Sequence, residues 1–105
     1  MIEDEKIIEL FFERSEQAIR ELDIKYGRLC YGLSYNIVNS RSDAEECVND
    51  TYLGMWNAIP PARPSPLPAY LCKIVRNISL KVYYRNGAAK RNSTYAIALE
   101  EIEAC

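Results

Sequence analysis

The chain has 105 residues, 49% hydrophobic and 27% charged, with a formal net charge of −2 and no histidine, which is the size and apolar content of one packed domain. No run approaches the roughly 20 apolar residues that span a bilayer, and the acidic start Met1-Ile2-Glu3-Asp4-Glu5 is opposite in charge to a signal peptide, so the expected location is the cytoplasm, away from membranes. Near-neutral charge also argues against a protein that coats nucleic acid by bulk electrostatics.

In chain order, Asp4 to Arg14 reads as a short amphipathic helix carrying Ile7, Ile8 and Phe11. Ser15 is placed to cap the next helix. That second helix, about Glu16 to Asn39, sets Ile19, Leu22, Tyr26, Leu29, Cys30, Leu33 and Ile37 in one stripe and is the expected central core helix. Ser42-Asp43-Ala44-Glu45 then has the form of a capping box, with Ser42 as the cap of a third helix that runs to about Ala58.

Pro60-Pro61-Ala62-Arg63-Pro64-Ser65-Pro66-Leu67-Pro68 is the one low-complexity stretch. Its prolines remove donors and favour extended backbone, so it reads as a stiff loop. Pro68 is tolerated in the first turn of a fourth helix, which extends to about Arg85. Asn86-Gly87 is the expected break, and Tyr95 to Cys105 has the pattern of one further weak helix. Alternating strand patterns are absent. The expected fold is all-α, a compact bundle of about four helices with a proline-rich loop before the last long one.

Charge is unevenly placed. Eight acids crowd the first quarter (Glu3, Asp4, Glu5, Glu9, Glu13, Glu16, Glu21, Asp23), whereas Thr51 to Leu99 contains no acid and seven bases: Arg63, Lys73, Arg76, Lys81, Arg85, Lys90 and Arg91. Such a division suits a domain with two different partners. Cys30, Cys47, Cys72 and Cys105 contain no CxxC pair and have no histidine to complete a zinc site, so neither a metal nor a cofactor is expected. Buried thiols in a reducing compartment are the expected reading of these cysteines.

On a helical projection of the third helix, Ala44, Cys47, Val48, Thr51, Met55 and Ile59 gather on a core side. The opposite side carries Glu46, Asn49, Asp50, Leu53, Trp56 and Asn57. Trp56 has two available placements. It can fold over the core edge or onto the fourth helix, or it can serve as the anchor of a protein-docking face whose acids call for a basic partner.

The fourth helix has a core stripe of Leu71, Ile74, Val75, Ile78 and Val82. It faces outward with Lys73, Arg76, Asn77, Leu80, Tyr83 and Tyr84, flanked by Lys81 and Arg85, with Lys90 and Arg91 beyond. Bases neutralise phosphates and aromatic rings stack bases. An ordinary basic helix with half-buried tyrosines has the same pattern.

These segments resemble region two of the sigma-70 family, most closely the compact extracytoplasmic-function type. The resemblance begins near Ser15-Glu16-Gln17-Ala18-Ile19 and rests on Lys25-Tyr26-Gly27, on Ser42-Asp43-Ala44-Glu45-Glu46-Cys47-Val48-Asn49-Asp50-Thr51-Tyr52-Leu53, on Trp56-Asn57-Ala58-Ile59-Pro60-Pro61, and on Ala69-Tyr70-Leu71 and Arg76-Asn77-Ile78-Ser79-Leu80, ending at Lys90-Arg91. It implies a region-two domain over residues 15–92, an amphipathic helix over 1–14 before it, and a tail over 93–105.

By that resemblance, the helix from Asp43 to Ala58 docks on the clamp coiled coil of core RNA polymerase through Asp43, Glu46, Asn49, Asp50, Leu53, Trp56 and Asn57. The helix from Tyr70 to Arg85, with Arg63 in the loop before it, opens the minus-ten promoter element and holds its non-template strand. Tyr70, Lys73, Arg76, Asn77, Lys81, Tyr83, Tyr84, Arg85, Lys90 and Arg91 are its candidate DNA contacts. Many relatives have an acid and an arginine where this chain has Lys81 and Tyr84, so no base preference carries over. The resemblance also makes an anti-sigma factor a candidate partner, and it implies a helix-turn-helix domain beyond Cys105 in a longer protein. A helical protein–protein adaptor without DNA binding is the alternative; an enzyme would have to work through carboxylates alone.

Overall fold

The computed structural model describes residues 1–87. Its helices are α1 (Asp4–Phe12), α2 (Gln17–Val38), α3 (Arg41–Ala58) and α4 (Leu67–Arg85), with no strand among the described residues. The expected helix over Tyr95 to Cys105 lies outside the described residues. All four helices are amphipathic and bury their stripes against one another: α2, α3 and α4 pack mutually, and α1 lies against α2. Ile7, Ile8 and Phe11 of α1 join the same apolar cluster as Leu22, Cys30 and Leu33 of α2, Met55 of α3 and Leu71 and Val75 of α4. Cys30, Cys47 and Cys72 are buried thiols, with no disulfide among them.

The turn between α2 and α3 is tighter than the sequence suggests. Asn39 ends α2 in the left-handed region (φ 54°), a conformation asparagine tolerates better than most residues, and Ser40 follows extended as the N-cap. Ser40 Oγ accepts from the Asp43 amide at 3.3 Å. The cap is therefore Ser40, not Ser42. Both serines are followed three residues later by an acid, and only the length of the turn decides between them. At the other end of α3, Ile59 precedes Pro60 and takes an extended conformation (φ −112°, ψ 112°), because the proline ring disfavours the helical region for its predecessor.

Two core faces differ from expectation. In α2 the C-terminal half buries Cys30, Leu33, Ser34 and Ile37, and Leu29 falls at the edge with 40% exposure. In α4 the buried set is Leu67, Leu71, Cys72, Val75, Ser79, Val82 and Tyr83, while Ile74 and Ile78 are half-buried. Both faces include a buried serine: Ser79 Oγ donates to Ser34 Oγ at 2.7 Å inside the α2–α4 interface. A projection that counts serine as polar centres both faces wrongly.

Polar ties hold α1 in place. Asp4 accepts from Lys25 Nζ at 2.7 Å and from the Tyr26 hydroxyl at 2.7 and 2.8 Å. Lys25 Nζ also donates to the Ile2 carbonyl at 3.0 Å. Burial by itself would raise the Asp4 carboxyl, but the Lys25 ammonium and the Tyr26 hydroxyl outweigh it and hold the group below its ordinary 3.8. Burial and the Asp4 carboxylate together push the Tyr26 hydroxyl up to about 12.

A carboxyl depressed in the folded state contributes stability above its unfolded value and loses it as pH falls through the folded one. The stability gap between wild type and Asp4→Asn is therefore expected to be constant at neutral pH and to close below the ordinary value of 3.8. Urea unfolding at a series of pH values measures it, and a gap that does not change with pH would refute the ion-pair account. For the serine pair, Ser79→Ala should cost about 1–2 kcal/mol by leaving the Ser34 hydroxyl buried and unpaired. The double variant Ser34→Ala/Ser79→Ala should be less destabilised than the sum of the single ones; additivity in the same unfolding experiment would show the contact to be unimportant.

Candidate functional site

The outer face of α3 exposes Glu46, Asn49, Asp50, Leu53 and Asn57, with Leu53 58% exposed. Beside it runs an open groove of about 800 Å³ between α2 and α3, lined by Glu16, Ile19, Arg20 and Asp23 on one side and Val48, Asn49, Tyr52, Leu53 and Trp56 on the other. The α2 wall and Tyr52 were not legible as site residues. They become neighbours of Leu53 only once the two helices pack, and no spacing within either helix signals it.

Tyr52 fixes the floor of the groove. Its hydroxyl donates to Asp23 Oδ1 at 2.6 Å, and burial first, then this carboxylate, push its titration far above the tyrosine range. Gly27 stands one turn after Asp23, where a Cβ would lie 2.6 Å from Asp23 Oδ1. A glycine inside a helix costs about 1 kcal/mol relative to alanine. Here it leaves room for the carboxylate that Tyr52 needs.

Trp56 folds over the core edge, the first of the two placements that the sequence leaves open, and part of it still faces the groove. Its indole is half-buried, tilted against Phe11 with ring centroids 6.2 Å apart, yet it lines the groove beside Leu53. The Arg14 guanidinium lies 3.8 Å from the indole centroid. Asp43, in contrast, is half-buried in the first turn of α3, where its Oδ2 accepts from Asn86 Nδ2 at 3.1 Å and so ties the start of α3 to the end of α4.

On α4, Lys73, Asn77, Lys81 and Tyr84 recur at spacings of four, four and three along one exposed strip, with Arg85 beside it. Arg76 is half-buried, and its Nε is buried without a protein partner. Tyr70 is half-buried against the core. Tyr83 is a correction: expected outside, it is 1% exposed and packs with Ile37, Val38 and Leu80. It lies four residues after buried Ser79 and so inherits the buried arc. Its ring meets Tyr84 edge-on at 5.6 Å, so it supports the tyrosine that is exposed, at 54%.

Arg63 is exposed in the segment between α3 and α4, its guanidinium 4.1 Å over the Phe12 ring. It borders a second cavity of about 460 Å³ with Asp4, Glu5 and Glu9. Lys90 and Arg91 lie outside the described residues.

Among the described residues no group of three or more His, Cys, Asp or Glu side chains is arranged to hold a metal, and no helix is long and apolar enough to cross a membrane. Burial pushes the Cys30 thiol up to about 12, which keeps it protonated at neutral pH. The described residues thus present an acidic face with an apolar groove beside it on α3, and a basic strip with an exposed aromatic on α4.

The model of sigma-70 region 2 matches residues 22–89. No curated protein and no solved structure gives a significant match. The chain belongs to the sigma-70 family and carries its region 2. Region 2 is a non-enzymatic part of a transcription-initiation factor that in general binds RNA polymerase and recognises the minus-ten promoter element. This favours the sigma reading over a helical adaptor without DNA binding.

If Gly27 exists to accommodate the Asp23–Tyr52 hydrogen bond, Gly27→Ala should bring little or no stability in the wild type, because the helix-propensity gain is offset by the displaced carboxylate. In a Tyr52→Phe background, where Asp23 is free to move, the same change should stabilise by about 1 kcal/mol. Thermal or urea unfolding of the four proteins decides it; equal effects in both backgrounds would rule the accommodation out.

Proposed function

We propose that this is a region-two domain of the extracytoplasmic-function type in which the two jobs are divided between α3 and α4. The outer face of α3 and the α2–α3 groove dock on the clamp coiled coil of core polymerase through Glu46, Asn49, Asp50, Leu53, Trp56 and Asn57. The α4 strip, with Arg63 from the loop before it, holds the non-template strand of the minus-ten element. The observation that carries this reading is the separation of charge, with acids beside an apolar groove on α3 and bases beside Tyr84 on α4.

The proposed mechanism is binding energy alone. Extruding a base costs a few kcal/mol, and stacking on an aromatic ring returns about 1–3 kcal/mol. With Tyr83 buried, Tyr84 is the exposed tyrosine of α4 available for that role. The phosphate contacts come from Lys73, Lys81 and Arg85, all exposed. So few cations on a net acidic domain predict weak DNA binding unless polymerase holds the strand in place. An anti-sigma factor is a further proposed partner, since the groove that meets polymerase is also the surface whose covering would block transcription.

The two faces are separable by substitution. Asp50→Lys or Trp56→Ala should weaken binding to core polymerase by roughly 30-fold, the effect of losing a hot-spot residue worth about 2 kcal/mol. Tyr84→Ala should leave that affinity unchanged and lower open-complex formation by about tenfold, with Tyr84→Phe restoring it. Filter binding and permanganate footprinting of the minus-ten region read the two outcomes. Loss of polymerase affinity in Tyr84→Ala, or normal promoter opening by it, would contradict the assignment.

A further inference from the structure

Trp56 owes its placement to a residue outside the groove. Arg14 sits in the turn between α1 and α2 with φ 55°, a left-handed conformation that disfavours side chains with a Cβ and gives arginine no local advantage. Its Nη1 donates to the carbonyls of Trp56 and Ile59, each at 2.8 Å. The same guanidinium lies 3.8 Å from the Trp56 ring centroid, within cation–π range.

The chemistry of the α3 terminus explains why these carbonyls need a donor from elsewhere. In a continuing helix the Trp56 carbonyl would accept from the amide four residues on, but that residue is Pro60 and has no N–H. The last turn of α3 carries no basic residue of its own to offset the negative end of the helix dipole. Arg14 supplies both the donor and the cation from α1's side of the fold. Arg14 is exposed but is not among the residues that line the groove, whereas Trp56 is.

We infer that Arg14 is a positioning residue for docking: it clamps the backbone and the indole of Trp56 together, so that the ring stands ready in the α2–α3 groove before the partner arrives. The inference rests on the assignment of the groove to polymerase docking. A preorganised anchor lowers the ordering cost of association, so release of the clamp shows as lost affinity that depends on Trp56 being present.

Trp56 is the only tryptophan in the chain, so its fluorescence reports the clamp directly. In the full chain, Arg14→Gln should raise acrylamide quenching of Trp56 and weaken binding to purified core polymerase by about tenfold, which corresponds to about 1.4 kcal/mol. Arg14→Lys keeps a cation over the ring and should recover most of both. In a Trp56→Ala background, Arg14→Gln should cost no further affinity. Equal losses with and without Trp56 would mean that Arg14 acts through overall stability, and unchanged quenching in both arginine variants would mean that the ring is not held; either result overturns the positioning role. Normal affinity of Arg14→Gln alongside a weakened Trp56→Ala overturns the positioning role alone. Normal affinity of Trp56→Ala itself overturns the docking assignment, and the positioning role falls with it. Circular dichroism melts of each variant define the temperature below which the comparison is made on folded protein.

Discussion

Two small hydroxyls constrain how α4 can be rotated against α2. Ser79 donates to Ser34 at 2.7 Å in the middle of the α2–α4 contact, and a polar pair that is fully buried must face its partner or lose a hydrogen bond without compensation from water. With Ser79 turned inward, Cys72, Val75, Val82 and Tyr83 turn inward too. Lys73, Asn77, Lys81 and Tyr84 are left on the solvent side. The exposed basic strip and the buried serine thus lie on opposite sides of the same helix.

α3 depends on neighbours at both ends. Its start is capped by Ser40 and tied to α4 through Asn86 and Asp43. Its end is broken by Pro60 and completed by Arg14 from the turn after α1. The helix that carries the acidic face is therefore tied at its ends by Asn86 and by the α1–α2 turn in addition to its own hydrogen bonds. The family match begins at residue 22, whereas Asp4, Phe12 and Arg14, which anchor α1 and reach Trp56 and Arg63, all precede it.

Much of this was legible in the chain. The existence and order of the four helices, the core side of α3 from Ala44 to Ile59, the exposed acids of α3 and the basic strip of α4 all follow from a 3.6-residue period and from where the prolines stand. The family followed from the spacing of short blocks across α3 and α4. What failed were finer placements: Ser42 as the cap where Ser40 takes it, Leu29 in the core where Ser34 is buried, and Tyr83 outside together with Tyr84 where only Tyr84 is exposed. A helical projection resolves faces only as finely as its assumption about which residue types are buried.

Sequence alone determined which stretches are helical and that acid and base lie on different helices, because amphipathic period, proline and charge are local properties. Tertiary structure alone decided which tyrosine reaches solvent, that a groove exists between α2 and α3, and that Trp56 is braced by Arg14 across 42 positions of sequence. Each of these depends on how one helix is rotated and seated against another, and that rests on apolar packing and on polar pairs, a serine on a serine or a guanidinium on a carbonyl, whose partners are remote in the chain.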